Sequence, residues 1–192
     1  MSSFENLSEL SDEQVVSAVR ENDHELYSEL IRRYQTKLSH YLRKFIHDSD
    51  ELEDVLQDIF IKAYRNLYDF DIDKRFSPWI YRIAHNEAIN NIKKYSKEVI
   101  SLDESEWDIL DEKIDMKRTV DAGFAKERIG RAFSMIKNKY REPLVLYFFE
   151  ERTYEEISDI LKIPRSTAGI LIMRGKKILK EYLEKDSYGK ST

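Results

Sequence analysis

Aromatic and cationic side chains are interspersed between residues 68 and 82, and together they could bind an unpaired nucleic-acid strand. The stretch combines five rings with three cations: Tyr68, Phe70, Phe76, Trp79 and Tyr81, with Lys74, Arg75 and Arg82. A ring offers a stacking surface to any base, and a neighbouring cation can meet the phosphate of the same nucleotide. Helical spacing favours a core position for Trp79 and for the earlier ring of Tyr64, whereas Phe70 and Tyr81 could face either way.

Residues that could support catalysis or hold a metal are few and poorly placed. His47-Asp48 is the dipeptide of metal-dependent phosphohydrolases, but Arg43 and Lys44, one turn earlier, would oppose a divalent cation. The chain has no cysteine, which excludes thiolate zinc sites and iron–sulfur clusters. It also has no glycine-rich phosphate loop, nucleophile elbow or Ser-His-Asp arrangement. We expect no catalytic residue, metal or cofactor, and keep an all-α phosphohydrolase as one alternative.

Composition indicates a cytoplasmic, helical protein without a membrane segment. The 192 residues are 41 % hydrophobic and 36 % charged, with only five Gly and three Pro, so we expect an all-α fold of two small domains. The start of the chain lacks the basic and apolar regions of a signal peptide. The longest apolar run, Leu144–Phe149, is too short to span a bilayer.

Two amphipathic helices flank the aromatic stretch and must position it. In the first, apolar residues recur at three- and four-residue steps, which leaves an acidic face: Glu51, Asp54, Gln57 and Asp58. On an isolated helix such a face is by default a solvated surface. The second helix is expected to be capped by Ser77 with Pro78 at its first position, and its outer side is polar: Arg82, His85, Asn86, Asn90, Lys93 and Lys94. Residues 74–97 hold six Lys or Arg and one acid, so a basic helix directly follows an acidic one.

The pattern divides the chain into a first domain at residues 1–97, a linker at 98–124, a second domain at 125–186 and a tail at 187–192. The first domain opens with a capping box, Ser11 to Gln14, and continues with a helix over about residues 24–47. The linker carries nine acids, and its scattered apolar residues suggest that it docks on a surface. The net charge of −5 indicates that unaided binding to DNA would be weak.

A short helix, a turn and a second basic helix in the last third of the chain follow the helix-turn-helix pattern. Thr153 to Glu156 forms a capping box, Lys162-Ile163-Pro164 breaks the helix, and Ser166 is expected to cap the next one, which runs to about Lys185. The side chains able to contact phosphates or base edges are Arg165, Ser166, Thr167, Arg174, Lys176 and Lys177. The alternative is a solvated basic helix end, which the helix dipole also favours.

Four sequence blocks resemble those of extracytoplasmic-function (ECF) sigma factors of bacterial RNA polymerase, and the resemblance covers most of the chain. SDEQVVSAVRENDHELYSELIRRYQTKL is similar to the opening helices of the family's first domain. EDVLQDIFIKAY resembles its polymerase-docking helix, and FSPWIYRIAHNEAINNIKK its promoter-opening helix. TYEEISDILKIPRSTAGILIMRGKKIL resembles the helix-turn-helix of its second domain.

The resemblance implies a non-catalytic sigma factor with a sigma-2 domain at 1–97 and a sigma-4 domain at 125–186. It implies that Asp54, Gln57 and Asp58 face the clamp helices of the largest polymerase subunit, and that the second-largest subunit's flap is a further partner. It implies contacts to the −10 element from Phe70, Arg75, Arg82, His85, Asn86 and Lys93. The helix over residues 166–177 would read the −35 element in promoter DNA. An anti-sigma factor is the remaining implied partner.

The last helix departs from the family pattern. Gly169 and Leu171 stand where positive charges are common, and Ile170 stands where a hydroxyl is common. We therefore expect −35 contacts to shift to Arg165, Thr167, Arg174, Lys176 and Lys177. Most of the apolar run 170–173 is expected to be core, although one or two of its residues cannot point inward. A stand-alone helix-turn-helix regulator, binding DNA as a dimer, is the main alternative function.

Overall fold

The computed structural model describes residues 9–21, 23–46, 48–94, 132–133 and 135–188, and the regular elements in these ranges are helical. Short 3-10 turns lie at His24–Leu26 and Leu67–Asp69. The α-helices are α1 (Asp12–Arg20), α2 (Tyr27–Leu42), α3 (Ser49–Arg65), α4 (Phe76–Lys94), α5 (Asn138–Phe148), α6 (Tyr154–Leu161) and α7 (Arg165–Tyr188). The predicted all-α fold is confirmed. The acidic segment 98–124 lies outside the described residues.

In the first group, α1–α4, hydrogen bonds from side chains fix the starts of α1, α3 and α4. The capping box of α1 is confirmed: the Gln14 N–H donates to Ser11 Oγ at 3.2 Å, and the Ser11 N–H donates to Gln14 Oε1 at 2.7 Å. Helix α4 begins one residue before the expected cap, because the Phe76 N–H donates instead to Oε1 of Glu13 on α1 at 2.9 Å. The prediction that Ser77 caps this helix was wrong, since a side chain from another helix satisfies its first donor.

Packed apolar side chains hold α2, α3 and α4 together. The fully buried ones include Leu30, Leu38, Tyr41, Leu42, Ile59, Ala63, Phe76, Ile80 and Ala84. Burying a side chain of this size contributes roughly 1.5–3 kcal/mol. Two polar contacts add to the packing of α3 against α4: Asn91 Nδ2 donates to Glu51 Oε1 at 2.8 Å, and Lys62 pairs with Glu87. The outer faces of α3 and α4 therefore keep a fixed separation.

The second group, α5–α7, differs in its helix boundaries from the sequence prediction. The sequence pattern predicts a helix over residues 142–150 with Pro143 in its first turn, but α5 begins at Asn138, so Pro143 lies further inside it. The missing N–H of Pro143 would have served the carbonyl of Lys139, which lies in an exposed turn where water can replace it. Helix α7 likewise begins at Arg165, one residue before the expected cap, and continues to Tyr188.

The two groups contact each other through α4 and α6, and their buried side chains form one apolar cluster. Helices α5 and α7 also pack closely at Gly175 of α7 and Leu144 of α5: a Cβ added to Gly175 would lie only 2.8 Å from Cδ1 of Leu144. In the part of the chain that the structure describes, no helix is both long enough and apolar enough to cross a membrane. Within the same ranges, no group of three or more His, Cys, Asp or Glu side chains is arranged to hold a metal ion.

Candidate nucleic-acid interface

The acidic residues of α3 lie on its solvent side. Asp54, Gln57 and Asp58 are all exposed, while Leu52, Leu56, Ile59, Phe60 and Ala63 point into the bundle. Asp48 caps this helix, because its Oδ1 accepts the N–H of Glu51 at 2.9 Å. Its neighbour His47 lies outside the described residues. The three predicted residues thus form one accessible patch, which could meet a basic protein surface.

An open groove of about 1080 Å³ adjoins this patch, between α2 and α3. Gln57 lines its edge, and its apolar walls are Ile31, Ile46, Leu52, Leu56, Phe60 and Ile61. Ile61 is 46 % exposed, although it lies on a helix whose other apolar residues are mostly buried. The sequence pattern did not predict this groove. Its signal was Ile61, an apolar residue off the buried stripe of α3.

The aromatic stretch before α4 is largely packed. The ring of Phe70 is only 3 % exposed, and it lies 5.6 Å from Phe76 and 5.2 Å from Trp79. Arg20 donates from Nε to the Leu67 carbonyl at 3.0 Å and also to the Phe70 carbonyl, which fixes the loop against α1. In this conformation Phe70 offers no open face to a base. Its predicted role therefore requires the loop to move.

Exposure of the other rings differs from the sequence prediction in one case. Trp79 is partly buried against the core, as expected, and Tyr81 is only 1 % exposed. Tyr64 was predicted to be core but is 41 % exposed, and its ring lies edge-on to Tyr27 at 4.9 Å. It sits at the rim of the bundle, where one ring edge packs and the other meets water.

The polar side of α4 is split between accessible and covered residues. Asn86 is exposed and Arg82 is half-buried, so both can be reached from solvent. Arg75, just before the helix, is 81 % exposed and lies 3.9 Å from Glu156. The backbone of Lys93 belongs to α4, but its side chain lies outside the described part of the structure.

His85 was expected on the outer side of α4, and this expectation was wrong. It is 7 % exposed, with Nδ1 at 2.9 Å from the Tyr41 hydroxyl and Nε2 at 3.7 Å from Oε2 of Glu142. Burial lowers the pKa of His85 to about 4, so the ring is neutral at pH 7. The reason is that α4 packs on both sides, and a helical wheel cannot show a second covering partner. As placed here, His85 contributes no positive charge.

Side chains of α5, of the segment before α6 and of α6 itself cover one side of α4 and the residues before it. The Tyr81 hydroxyl donates to Oε2 of Glu150 at 2.7 Å, and burial raises the pKa of Tyr81 well above its ordinary value. The guanidinium of Arg152 lies 4.1 Å from the centre of the Tyr81 ring and donates to Ser77 Oγ at 3.0 Å. Three carboxylates of the second group thus lie at or near α4. Glu142 lies near His85, Glu150 near Lys44 and Glu156 near Arg75.

The helix-turn-helix geometry of α6 and α7 is set by local bonds. The capping box from Thr153 to Glu156 is confirmed, with the Glu156 N–H donating to Thr153 Oγ1 at 3.2 Å. Lys162 ends α6 in the left-handed region at φ 56°, and the Ser158 hydroxyl donates to the Ile163 carbonyl at 2.6 Å. The turn thereby directs α7 away from α6 with its first residues at the surface.

The predicted −35 residues do not all share one face of α7. Ser166, Arg174 and Lys177 are exposed on the same side, and Thr167 is half-buried. Arg165 is exposed, and its Nε lies 2.9 Å from a carboxylate oxygen of Glu155. Lys176 points elsewhere: its Nζ lies 4.0 Å from the centre of the Tyr147 ring on α5. The run 170–173 was expected to be mostly core with one or two residues outside, and the two residues outside are Ile170 and Met173 on the exposed face.

Two family models match separate parts of the chain. Sigma-70 region 2 matches residues 30–98, and Sigma-70, region 4 matches residues 126–179. Among similar proteins, the ECF RNA polymerase sigma factor SigW of Bacillus subtilis is 30 % identical over 176 residues, covering 88 % of this chain and 94 % of SigW. The RNA polymerase sigma-H factor of Pseudomonas aeruginosa is 27 % identical over 186 residues, covering 93 % of this chain and 96 % of that protein.

Two solved structures have a similar fold. The structure of CnrH in complex with the cytosolic domain of CnrY matches with a TM-score of 0.67 at 20 % identity, covering 91 % of this chain and 98 % of that one. The sigma factor RpoE of Bartonella quintana, in complex with the anti-sigma factor NepR, matches with a TM-score of 0.58 at 16 % identity, covering 82 % and 96 % of the two chains. At these identities the likeness concerns the fold.

Proposed function

The chain belongs to the ECF family of RNA polymerase sigma factors, and from this membership we propose how its surfaces divide the work of initiation. It is an alternative sigma factor, and its partners are core RNA polymerase and promoter DNA. Sigma factors are not enzymes, and we propose that polymerase carries out all the catalysis of initiation. We propose that the protein acts in the cytoplasm.

We propose a sigma-2 domain at residues 1–97, a linker at 98–124, a sigma-4 domain at 125–186 and a tail at 187–192. The region 2 match at 30–98 and the region 4 match at 126–179 support this division. The linker boundaries also enclose the acidic segment between the two basic regions. Each domain then carries one DNA-binding surface.

The acidic patch of Asp54, Gln57 and Asp58 is proposed to dock on the clamp helices of the largest polymerase subunit. Exposure of all three side chains supports this role, as does the groove beside Gln57, whose apolar wall residues can contact side chains of the partner. Carboxylates at the edge of an apolar surface speed association with a basic partner and fix its orientation. The sigma-4 domain is proposed to contact the flap of the second-largest subunit.

The −10 element is proposed to bind on α4 and the loop before it. Asn86 and Arg82 are accessible to an unpaired base, while Arg75 and Lys93 would neutralise phosphates. Extruding a base costs a few kcal/mol, which stacking and hydrogen bonds can offset. The −35 element is proposed to bind the exposed face of α7, at Ser166, Thr167, Arg174 and Lys177 with Arg165. Lys176 is the weakest member of that set, because it stacks on Tyr147.

One observation carries the proposal: the docking face and the promoter-opening helix are neighbours in one bundle. Asn91 on α4 donates to Glu51 on α3, and Lys62 on α3 pairs with Glu87 on α4. A polymerase subunit that grips α3 therefore fixes the position of α4 relative to the enzyme. Such a fixed position is what strand capture next to an active centre requires.

We further propose that the arrangement described here is a closed one, in which the second group limits access to α4. Glu142 and Glu150 occupy the side of α4 where His85 and Tyr81 lie, and Glu156 pairs with Arg75 just before the helix, so a negatively charged strand would meet carboxylates there. Docking on polymerase would then favour separation of the two groups. An anti-sigma factor is proposed as a partner that holds the factor inactive, as NepR accompanies RpoE in the similar structure.

Run-off transcription tests the function directly. Core polymerase is supplied with a pooled library of promoter fragments, with and without the purified chain, and the transcripts are sequenced. We expect defined start sites only when the chain is present. Asp54→Arg should reduce both core binding and transcription at least tenfold, whereas Asn86→Ala should reduce strand opening, read by permanganate reactivity, with core binding intact.

The matched control is Glu25→Arg, which makes the same charge change at an exposed position near the other end of α3. It should leave core binding and transcription unchanged. Sequence-specific duplex binding by the chain alone, without any start site in the presence of core polymerase, would instead identify a stand-alone regulator. Silent Asp54→Arg and Asn86→Ala variants would refute the proposed sites.

A further inference from the structure

The exposed face of α7 combines apolar and cationic side chains in an unusual way. Ile170 is 45 % exposed and Met173 is 64 % exposed, in the first half of the second helix of the helix-turn-helix. With Ser166 and Lys177 they follow steps of four, three and four residues, which places all four on one stripe of the helix. Arg174 is exposed beside them. Two large apolar groups therefore occupy the centre of a basic face.

Packing on the opposite side prevents these residues from turning inward. Ala168 and Ile172 are fully buried, and Leu179 is 1 % exposed, so they form the inner stripe of α7. Gly175 lies against Leu144 so closely that a Cβ there would be 2.8 Å from Cδ1. A rotation of α7 that buried Ile170 would replace Gly175 by a larger side chain at the contact with Leu144. Ile170 and Met173 thus remain outside because the inner face is already filled.

Duplex DNA fits this face better than an apolar protein groove does. A groove that covered Ile170 and Met173 would also bury Arg174 and Lys177, the latter with Glu181 at 4.0 Å from its Nζ, and taking charged side chains out of water is costly. The major groove instead offers phosphates at its edges, where Arg174 and Lys177 can bind, and base edges at its centre. Among the base edges, only thymine presents a methyl group, and apolar side chains contact it.

Resting on the proposed −35 role of α7, we infer that Ile170 and Met173 select thymine by contacting its C5 methyl group. Neither side chain can donate a hydrogen bond, so at these positions base discrimination comes from apolar contact and shape. The recognised element then carries thymines at the positions under the centre of α7, on either strand. Cationic side chains supply affinity around these positions and contribute little discrimination there.

Replacing thymine by uracil tests this inference, because it removes only the methyl group. The holoenzyme, made from core polymerase and the full chain, first selects −35 sequences from a duplex library randomised in that region. Each enriched thymine is then replaced singly by deoxyuridine, and binding is measured. We expect a threefold to fivefold loss at one or two positions, the size expected for one buried methyl group.

Variants assign the effect to its residues. Ile170→Ala and Met173→Ala should each lower affinity for the thymine duplex and abolish the uracil penalty at one position. Met135→Ala is the matched control, since Met135 is 65 % exposed outside α7, and it should keep both affinity and penalty. Ile170→Gln, which keeps the size of the side chain, should behave like Ile170→Ala.

The outcomes separate this inference from the function on which it rests. A holoenzyme that initiates at defined sites but binds thymine and uracil duplexes equally overturns the methyl contact and leaves the sigma-factor role intact. An unchanged uracil penalty in both alanine variants overturns the assignment to Ile170 and Met173. A chain that supports no initiation at all counts against the proposed function itself, through the run-off assay.

Discussion

The hydroxyl of Tyr81 on α4 lies 2.7 Å from Oε2 of Glu150, the residue two positions after α5, and donates a hydrogen bond to it. The second oxygen of Glu150 lies 3.5 Å from Nζ of Lys44, a side chain only 2 % exposed. One carboxylate thus connects α4 and the turn after α2 to the second group. Such a buried contact is costly to leave half-satisfied, which makes it a sensitive place to probe the closed arrangement.

Replacing Glu150 by alanine should separate the two helical groups. The change removes the acceptor of Tyr81 and a charge next to Lys44, and breaking a buried charged pair costs about 3–5 kcal/mol. Because the chain has no cysteine, cysteines introduced at the exposed positions Glu25 and Lys180 can carry a fluorophore pair. We expect lower energy transfer in Glu150→Ala and no change in Glu181→Ala, an exposed glutamate on α7. Equal transfer in both variants would contradict the closed arrangement.

Stability should rise with pH between 4.5 and 6.5 because of His85. Burial lowers the pKa of His85 from 6.5 to about 4, so over this range the unfolded chain binds a proton that the folded chain does not. The folded ring faces Tyr41 and Glu142. From the two pKa values the free energy of unfolding should increase by about 2 kcal/mol from pH 4.5 to 6.5.

Urea unfolding of His85→Gln at several pH values measures the contribution of His85. In this variant the free energy of unfolding should no longer increase by that amount between pH 4.5 and 6.5. The control is His40→Gln, at an exposed histidine on α2, which should keep it. Glu29 does not obscure the result: hydrogen bonds from Arg32 and then Arg33 lower its pKa to about 2, so its contribution is lost only below pH 4.5. A variant with the same pH slope as the parent would show that His85 titrates normally.

The two glycines of α7 should respond in opposite ways to alanine. A Cβ at Gly169 would lie 3.6 Å from the Tyr154 ring, an ordinary contact, so Gly169→Ala should raise the free energy of unfolding by about 0.5–1 kcal/mol through helix propensity. At Gly175 the Cβ would meet Cδ1 of Leu144 at 2.8 Å, and overpacking costs about 1–3 kcal/mol. The net effect of Gly175→Ala should be a loss of roughly 1 kcal/mol.

A second substitution checks the reason for that loss. Shortening the neighbour in Gly175→Ala/Leu144→Val should make the combined effect smaller than the sum of the two single effects, as shared packing predicts. Thermal unfolding followed by circular dichroism gives all four values. Additive effects would indicate that the glycine is required for some other reason than close contact.

Arg20 should control the loop that carries Phe70. Its guanidinium donates to the carbonyls of Leu67 and Phe70, and removing a charged donor from such bonds costs about 1.5–3 kcal/mol. Arg20→Ala should therefore increase hydrogen exchange of the backbone amides in residues 67–76. Arg43→Ala, at an exposed arginine after α2, is the control and should leave exchange there unchanged. Unaltered exchange in Arg20→Ala would mean that ring packing alone holds the loop.

The sequence predicted the helices well where a single amphipathic face decides the structure. The apolar spacing of α3 and the capping boxes at Ser11 and Thr153 are local signals, and the structure contains them. The start of α4 was not predicted correctly, because the N–H of Phe76 is satisfied by Glu13, which is distant in sequence. A local capping rule cannot include such a partner.

Exposure within α4 was harder to predict, for a related reason. Its pattern indicates one buried side, yet the helix packs on the first group and also on α6. His85 and Tyr81 lie on the second contact, so their burial depends on residues more than fifty positions away. The acidic patch on α3 needed no such information, because none of the described residues covers that side of the helix.

The carboxylates beside α4 also affect how the factor should respond to ionic strength. Added salt displaces a protein from phosphates, and the slope of that loss normally counts the phosphates that are contacted. In the free factor the same salt would also weaken ion pairs such as that between Arg75 and Glu156. In such a pair the carboxylate competes with the nucleic acid for the arginine side chain. The two effects oppose each other, so a salt titration of the free factor should undercount its phosphate contacts. Once docking has separated the groups, the full slope should return.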